Sequence, residues 1–215
     1  MAAADASAPA PDCRICVRLA TYRDANRAAN PSWFNGAVPS FGPVDARLLV
    51  VGLAPGVRGA NRTGRPFTGD FAGMLLYATL LKFGFATGTY QADPADWLAL
   101  VDCRVTNAVR CVPPANLPTP AEITNCNPFL ARELAAMPRL RAVLALGGVA
   151  HKAVLRARGL RASHVPFAHG ALHPLPEGLL LADSYHVSRL NTNTGRLTAA
   201  MFEAVVRDIR THLAT

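Results

Sequence analysis

The chain has 215 residues, 51% of them hydrophobic, which suits one α/β domain with a substantial core and excludes a mainly disordered protein. Lysine and arginine number 22 against 14 acidic residues, a net charge of +8. Almost all of the cations are arginine, which suits bidentate phosphate contacts, although GC-rich coding produces the same skew; charge alone therefore leaves a nucleic-acid partner open.

Residues 1–11, MAAADASAPAP, lack the basic start and continuous apolar core of a secretory signal. They read as a disordered tail ahead of a single domain over 12–215. No apolar run approaches the ~20 residues of a membrane span, so the expectation is a soluble, cytoplasmic protein with no membrane partner. Residues 13–30 have helical spacing with arginines on one side, and residues 30–46 are broken by proline and glycine. RLLVVGL (47–53) reads as a buried strand, GMLLYATLLKFGF (73–85) as a helix and CRVTNAV (103–109) as a second strand. Thr119, Pro120 and Glu122 form a helix start, with Thr119 at the N-cap and Pro120 at the first helical position. RAVLALGG (141–148) is a third strand, followed by a helix over about 149–158, and GLLLADSYH (178–186) is a fourth. An amphipathic helix closes the chain within 194–214. Strands alternating with helices predict a three-layer α/β sandwich, a central four-stranded parallel sheet with helices on both faces.

Five cysteines in a cytosolic-looking chain point to metal or thiol chemistry rather than disulfides. Cys13 and Cys16 form a C-x2-C pair, and Cys111 and Cys126 complete a set of four if the fold brings them together. Four thiolates suit a structural zinc or an iron–sulfur cluster, scattered core cysteines being the competing reading, and spacing does not choose. Cys103 lies at the far end of its strand from Cys111 and reads as core.

Ligands of such sheets sit beyond the carboxyl ends of the strands, where this chain carries GLAPGVRG, TNAVRC and YHVSRLN. Neither the G-x-x-x-x-G-K-[ST] nor the G-x-G-x-x-G fingerprint is present, which argues against a nucleotide cofactor. Taken in order, GLAPG, NRTGRPFTGD, TNAVRC with its PTPAEI and cysteine, and HVSRLNTNTGRLT resemble the uracil-DNA glycosylase superfamily, specifically its iron–sulfur, broad-specificity family 5 branch. The resemblance runs from Cys13 to about Thr198. It implies a [4Fe–4S] cluster on Cys13, Cys16, Cys111 and Cys126. It also implies hydrolysis of the N-glycosidic bond of uracil, and of other deaminated bases such as hypoxanthine or xanthine, flipped out of DNA to leave an abasic site for base excision repair. The related iron–sulfur branch has a glutamate where Leu53 stands here, so another group must serve the water.

Bond cleavage builds positive charge on the sugar and negative charge on the departing base. Asp70 is the candidate carboxylate for the first, with an N-cap as its competing role. His186 is the candidate donor to the base anion, or else a structural histidine. Asn107 has the amide to read a base edge, or to tie a turn. Phe67 offers a stacking floor, or is core. Backbone and hydroxyl groups of Gly52, Leu53, Ala54, Pro55, Gly56 and Ser188 are expected near substrate, aided by Arg62, Arg65 and Arg196, each of which as readily serves as a surface charge. Val187 and Arg189 replace two prolines of the family pattern HPSPLN, in the segment that also holds Asn191. Arg189 or Leu190 is expected to fill the space left by the flipped base. Lys82 and Lys152 fall in helical runs, so no Schiff-base step is expected. The competing function is a lesion-binding protein of the same fold that has lost catalysis and keeps its metal centre as a brace. A monomer is the simplest assembly.

Overall fold

The structure is a computed structural model that describes residues 8–215; the first seven positions of the expected tail lie outside the described residues. Of the rest of that stretch, Pro9 is buried, and the carbonyls of Ala10 and Pro11 accept hydrogen bonds from the Cys13 and Ala37 N–H groups.

The strands are β1 (Leu48–Gly52), β2 (Ala86–Thr87), β3 (Ala99–Leu100), β4 (Cys103–Asn107), β5 (Ala142–Leu146), β6 (Leu172–Pro174) and β7 (Leu180–Ser184). The helices are α1 (Val17–Ala29), α2 (Ala60–Thr63), α3 (Phe71–Lys82), α4 (Pro120–Ala136), α5 (Gly148–Ala157), α6 (Arg189–Asn193) and α7 (Ala199–Ala214). The four expected strands pair in parallel in the order β4-β1-β5-β7. The sheet has five strands rather than four, because β6 adds antiparallel to the outer edge of β7. Leu-His-Pro is too short and proline-bound to signal a strand, and a proline is tolerated there only because β6 is an edge. The β2–β3 hairpin, two residues on each side, lay below any periodic signal.

The main strands are buried along their whole length, as strands covered by helices on both faces must be. Alternate residues feed two cores. Leu48 and Val50 pack with Leu76, Tyr77 and Leu80 of α3 and with Phe202, Val206 and Ile209 of α7. Leu49 and Val51 pack with Leu130 and Leu134 of α4 and with Val154 and Leu155 of α5. Each such side chain contributes about 1.5–3 kcal/mol on burial. The start of α4 is a complete capping box: the Thr119 hydroxyl accepts from the Glu122 N–H, and the Glu122 carboxylate accepts from the Thr119 N–H at 2.7 Å. The closing run divides in two. α6 is capped by Ser188 and α7 by Thr198, whose hydroxyl accepts from the Met201 N–H at 3.2 Å. Cys103 is fully buried, and burial pushes its thiol far above the usual range, which fits a core side chain. Among the described residues no helix is long and apolar enough to cross a membrane.

Candidate active site and cysteine centre

The loops leaving β1, β4 and β7 converge on one cleft. The register pairs Gly52 at the end of β1 with Asn107 at the end of β4. A Cβ on Gly52 would lie 2.4 Å from both Asn107 Oδ1 and the Phe67 ring, so glycine is what lets these two side chains meet. Phe67 is 7% exposed and holds a left-handed backbone, φ +53°, a costly conformation for an aromatic residue. The hydroxyls of Tyr77 and Tyr90 keep it there by donating to the Pro66 and Phe67 carbonyls at 2.6 and 3.0 Å. Its ring faces that of His186, centroids 6.0 Å apart and 31° between planes. Ala54, Pro55, Gly56, Phe67, Asp70, Asn107 and His186 thus line one inner pocket, which opens into a wider cleft edged by Leu53, Arg58, Asn116, Ser188 and Arg189.

Asp70 sits at the N-cap position of α3, yet its side chain makes no capping hydrogen bond. Burial pushes its carboxyl above the usual range, partly offset by the Ala72 and Gly73 N–H groups that face it. Oδ1 of Asp70 and Oδ1 of Asn107 are both buried without a hydrogen-bond partner. Burial also pushes His186 down to about 4, so at neutral pH its ring is uncharged and donates from one nitrogen only. The His186 carbonyl accepts from Asn191 Nδ2 at 2.8 Å, and the Ser188 hydroxyl from the Asn191 N–H at 3.4 Å, so both residues shape the turn.

Arg65 departs from its expected phosphate role. It is 7% exposed, forms a two-pronged pair with Asp96 at 2.7 and 2.8 Å, and lies over the rings of Phe41, Tyr77 and Tyr90. A guanidinium held this way braces the loop from within. Arg62 and Arg196 are exposed, as is Arg189, which reaches over the Phe71 ring beside the exposed Leu190. Two residues escaped the sequence reading. Arg58 lies on the cleft wall, and Asn116 reaches it from the loop after β4, with a left-handed φ of +56° next to Ala115 at +55°. The only local signal was the proline-flanked PPANLP turn; its approach to Asp70 is tertiary.

Cys13, Cys16, Cys111 and Cys126 ring a separate small cavity with Leu19, Val109 and Phe129. Zinc–sulfur bonds of about 2.3 Å would hold four sulfurs about 3.8 Å apart. Among the described residues no three of these sulfurs lie within 4.8 Å of one another, so they stand apart as free thiols. N–H groups converge on them: Arg23 Nη1 on Cys111 Sγ (3.5 Å), the Arg110 N–H on Cys126 Sγ (3.4 Å) and Asn125 Nδ2 on Cys16 Sγ (3.7 Å). Burial pushes Cys111 up to about 12 and raises Cys16 and Cys126, so as free thiols they are protonated. Arg23, fully buried, leaves Nε and Nη2 without partners, a buried cation facing sulfurs that only a metal centre would render anionic. The donor set therefore fits an iron–sulfur cluster.

The family profile described as Uracil DNA glycosylase superfamily matches residues 39–210. The chain is 47% identical over 204 residues to the Type-5 uracil-DNA glycosylase of Thermus thermophilus, covering 92% of each protein. It is 43% identical to the Type-5 uracil-DNA glycosylase of Mycobacterium leprae, covering 92% of this chain and 90% of that one. Against that of Pyrobaculum aerophilum the identity is 40%, over 91% and 87%. The chain belongs to the uracil-DNA glycosylase superfamily, in its type-5 branch.

Proposed function

We propose that the protein is a monofunctional DNA glycosylase that hydrolyses the N-glycosidic bond of uracil, and of hypoxanthine or xanthine, in DNA. The observation that carries this reading is the pair of buried, unpartnered acceptors, Asp70 Oδ1 and Asn107 Oδ1, in one pocket floored by Phe67. Unsatisfied buried acceptors cost about 1–3 kcal/mol each, so each calls for a donor that the ligand or its water supplies. Uracil and hypoxanthine each present a ring N–H beside a carbonyl that deamination creates, whereas in xanthine deamination adds a second carbonyl to a ring N–H that guanine already carries. Cytosine and adenine carry a lone pair at that ring nitrogen and would set acceptor against Asn107 Oδ1.

The chemistry follows from the charges. Asp70, ionised, accepts a hydrogen bond from the attacking water, orients it toward the anomeric carbon and stabilises the cationic sugar. As the bond breaks, the electron pair leaves with the base, whose carbonyl oxygen receives a hydrogen bond from uncharged His186. Asn116 faces the same cleft and would steady the water or sugar. Exposed Arg58, Arg62, Arg189 and Arg196 would meet phosphate, and Leu190, 73% exposed on α6, is placed to enter the stack. Neither Lys82 nor Lys152 lines the pocket or the cleft, consistent with water as the nucleophile. A [4Fe–4S] cluster on Cys13, Cys16, Cys111 and Cys126 would supply a covalent brace joining the segment before α1, the exit of β4 and α4. The setting is cytoplasmic and the unit a monomer.

Base release from duplex oligonucleotides carrying uracil, hypoxanthine, xanthine, cytosine or adenine tests the reading. Release of deaminated bases alone is expected, abolished by D70N and strongly reduced by H186A. Lesion binding with no release from any substrate would establish the binding-protein reading instead.

A further inference from the structure

Away from the cleft and the cysteines, three side chains from three elements close on one point: His151 of α5, His173 of β6 and Asp183 of β7. Their donor atoms all lie within 4.8 Å of one another, and His151 and Asp183 are 1% and 0% exposed. His151 Nε2 is 2.8 Å from the Val165 carbonyl, which can only accept, so that nitrogen carries the hydrogen. The other nitrogen, Nδ1, then points a lone pair at Asp183 Oδ1 from 2.8 Å. The second carboxylate oxygen faces His173 Nε2 at 3.0 Å and the Ala168 N–H at 3.4 Å. Among the described residues no lysine or arginine forms an ion pair with Asp183. With a single ring hydrogen the Nδ1–Oδ1 contact sets a lone pair against a carboxylate, which a second ring proton or a metal cation between the two atoms would relieve.

We propose that this cluster is a structural site for a divalent transition metal of the zinc class, bound by His151 Nδ1, His173 Nε2 and an Asp183 oxygen. The donor set of two imidazoles and one carboxylate suits zinc. Tethering the far ring nitrogen to a carbonyl is how metal-bound histidines are oriented. Bonds of about 2.1 Å put tetrahedral donors about 3.4 Å apart, about 0.5 Å beyond the two imidazole–carboxylate contacts, which fall on different oxygens of Asp183, and inside the 4.8 Å that spans all three donors. His173 is 18% exposed, which gives an ion a way in and leaves room for a water as fourth ligand. The metal would pin the loop between α5 and β6 to the core. That loop carries His169, whose ring stacks on Tyr185 at 4.9 Å and whose Nδ1 accepts from the Tyr185 N–H, one residue before His186.

Cobalt(II) titration of the full chain, with its cysteine centre loaded and oxygen excluded, tests the site. One equivalent should bind and give visible ligand-field bands without near-ultraviolet thiolate charge transfer, and added zinc should displace it. H173Q, altering the most exposed ligand, should keep its circular dichroism spectrum and weaken cobalt binding at least about 10- to 100-fold, the loss typical of disturbing even the support of a ligand. Zinc should likewise raise the wild-type Tm and leave that of H173Q unchanged. Absence of cobalt bands, bands of thiolate type alone, or binding unchanged in folded H173Q would each overturn the proposal, and a second proton on His151 would then hold the network.

Discussion

Gly59 offers a sharp test of how Asp70 works. A Cβ built there would lie 2.1 Å from Asp70 Oδ2 and 2.8 Å from its Cγ, against an ordinary contact of 3.4 Å or more. Gly59 has φ −90° and ψ −117°, a pair that falls between the helical and extended regions open to alanine, so the substitution strains the backbone as well as the side chain it meets. The Asp70 carboxylate must yield as well, by about 1 Å, away from the Cβ and from the N–H groups it faces. Folding should weaken by about 1–3 kcal/mol through the strained backbone, so rates are compared on the folded variant. Catalysis should register it strongly, since a displacement of about 1 Å in a positioned group costs roughly 100-fold, or about 2.7 kcal/mol of barrier. Single-turnover release of uracil from a duplex oligonucleotide would measure this for wild type, G59A, D70A and the double variant. G59A should be slow, and in the D70A background it should add nothing. A wild-type rate in G59A, or effects that multiply in the double variant, would refute a positioned Asp70 carboxylate.

The pH profile should be flat from about pH 8 to 6, where an ordinary histidine titrates, because His186 is held down to about 4. Acid should then reduce the rate as Asp70, raised by burial, takes a proton, and further near pH 4 as His186 becomes charged; an inflection near 6.5 would contradict this. Arg65→Ala should cost about 3 kcal/mol in denaturant unfolding by stranding Asp96, whereas exposed Arg62→Ala should leave stability within about 0.5 kcal/mol and weaken duplex binding in a salt-dependent way. Arg23→Leu, which removes the buried cation beside Cys111, should lower the reduction potential of the cluster proposed on the cysteines and speed its loss of visible absorbance to chelators. An unchanged potential would show that its charge does not reach the cluster.

Much of the scaffold was legible in local residues. The apolar runs 47–53, 103–109, 141–148 and 178–186 contain the four parallel strands, and Thr119, Pro120 and Glu122 mark the start of α4, because periodicity and capping are short-range physics. The order of motifs also pointed to Asp70, Asn107, Phe67 and His186, and the fold places all four in one pocket. What stayed hidden depended on partners distant in sequence. Arg65 carries the same charge as Arg62, and only the approach of Asp96, thirty-one residues on, takes it out of solvent. Asn116 has no signature of its own until its left-handed turn is laid against the loop holding Asp70. His151, His173 and Asp183 lie on three separate elements, and nothing in their spacing joins them. Sequence by itself determined which segments become strand and helix and which residue types stand at the strand ends. Only the tertiary structure decided which of those charges face water, which face each other and which are left without a partner, because desolvation and pairing are properties of the packed chain.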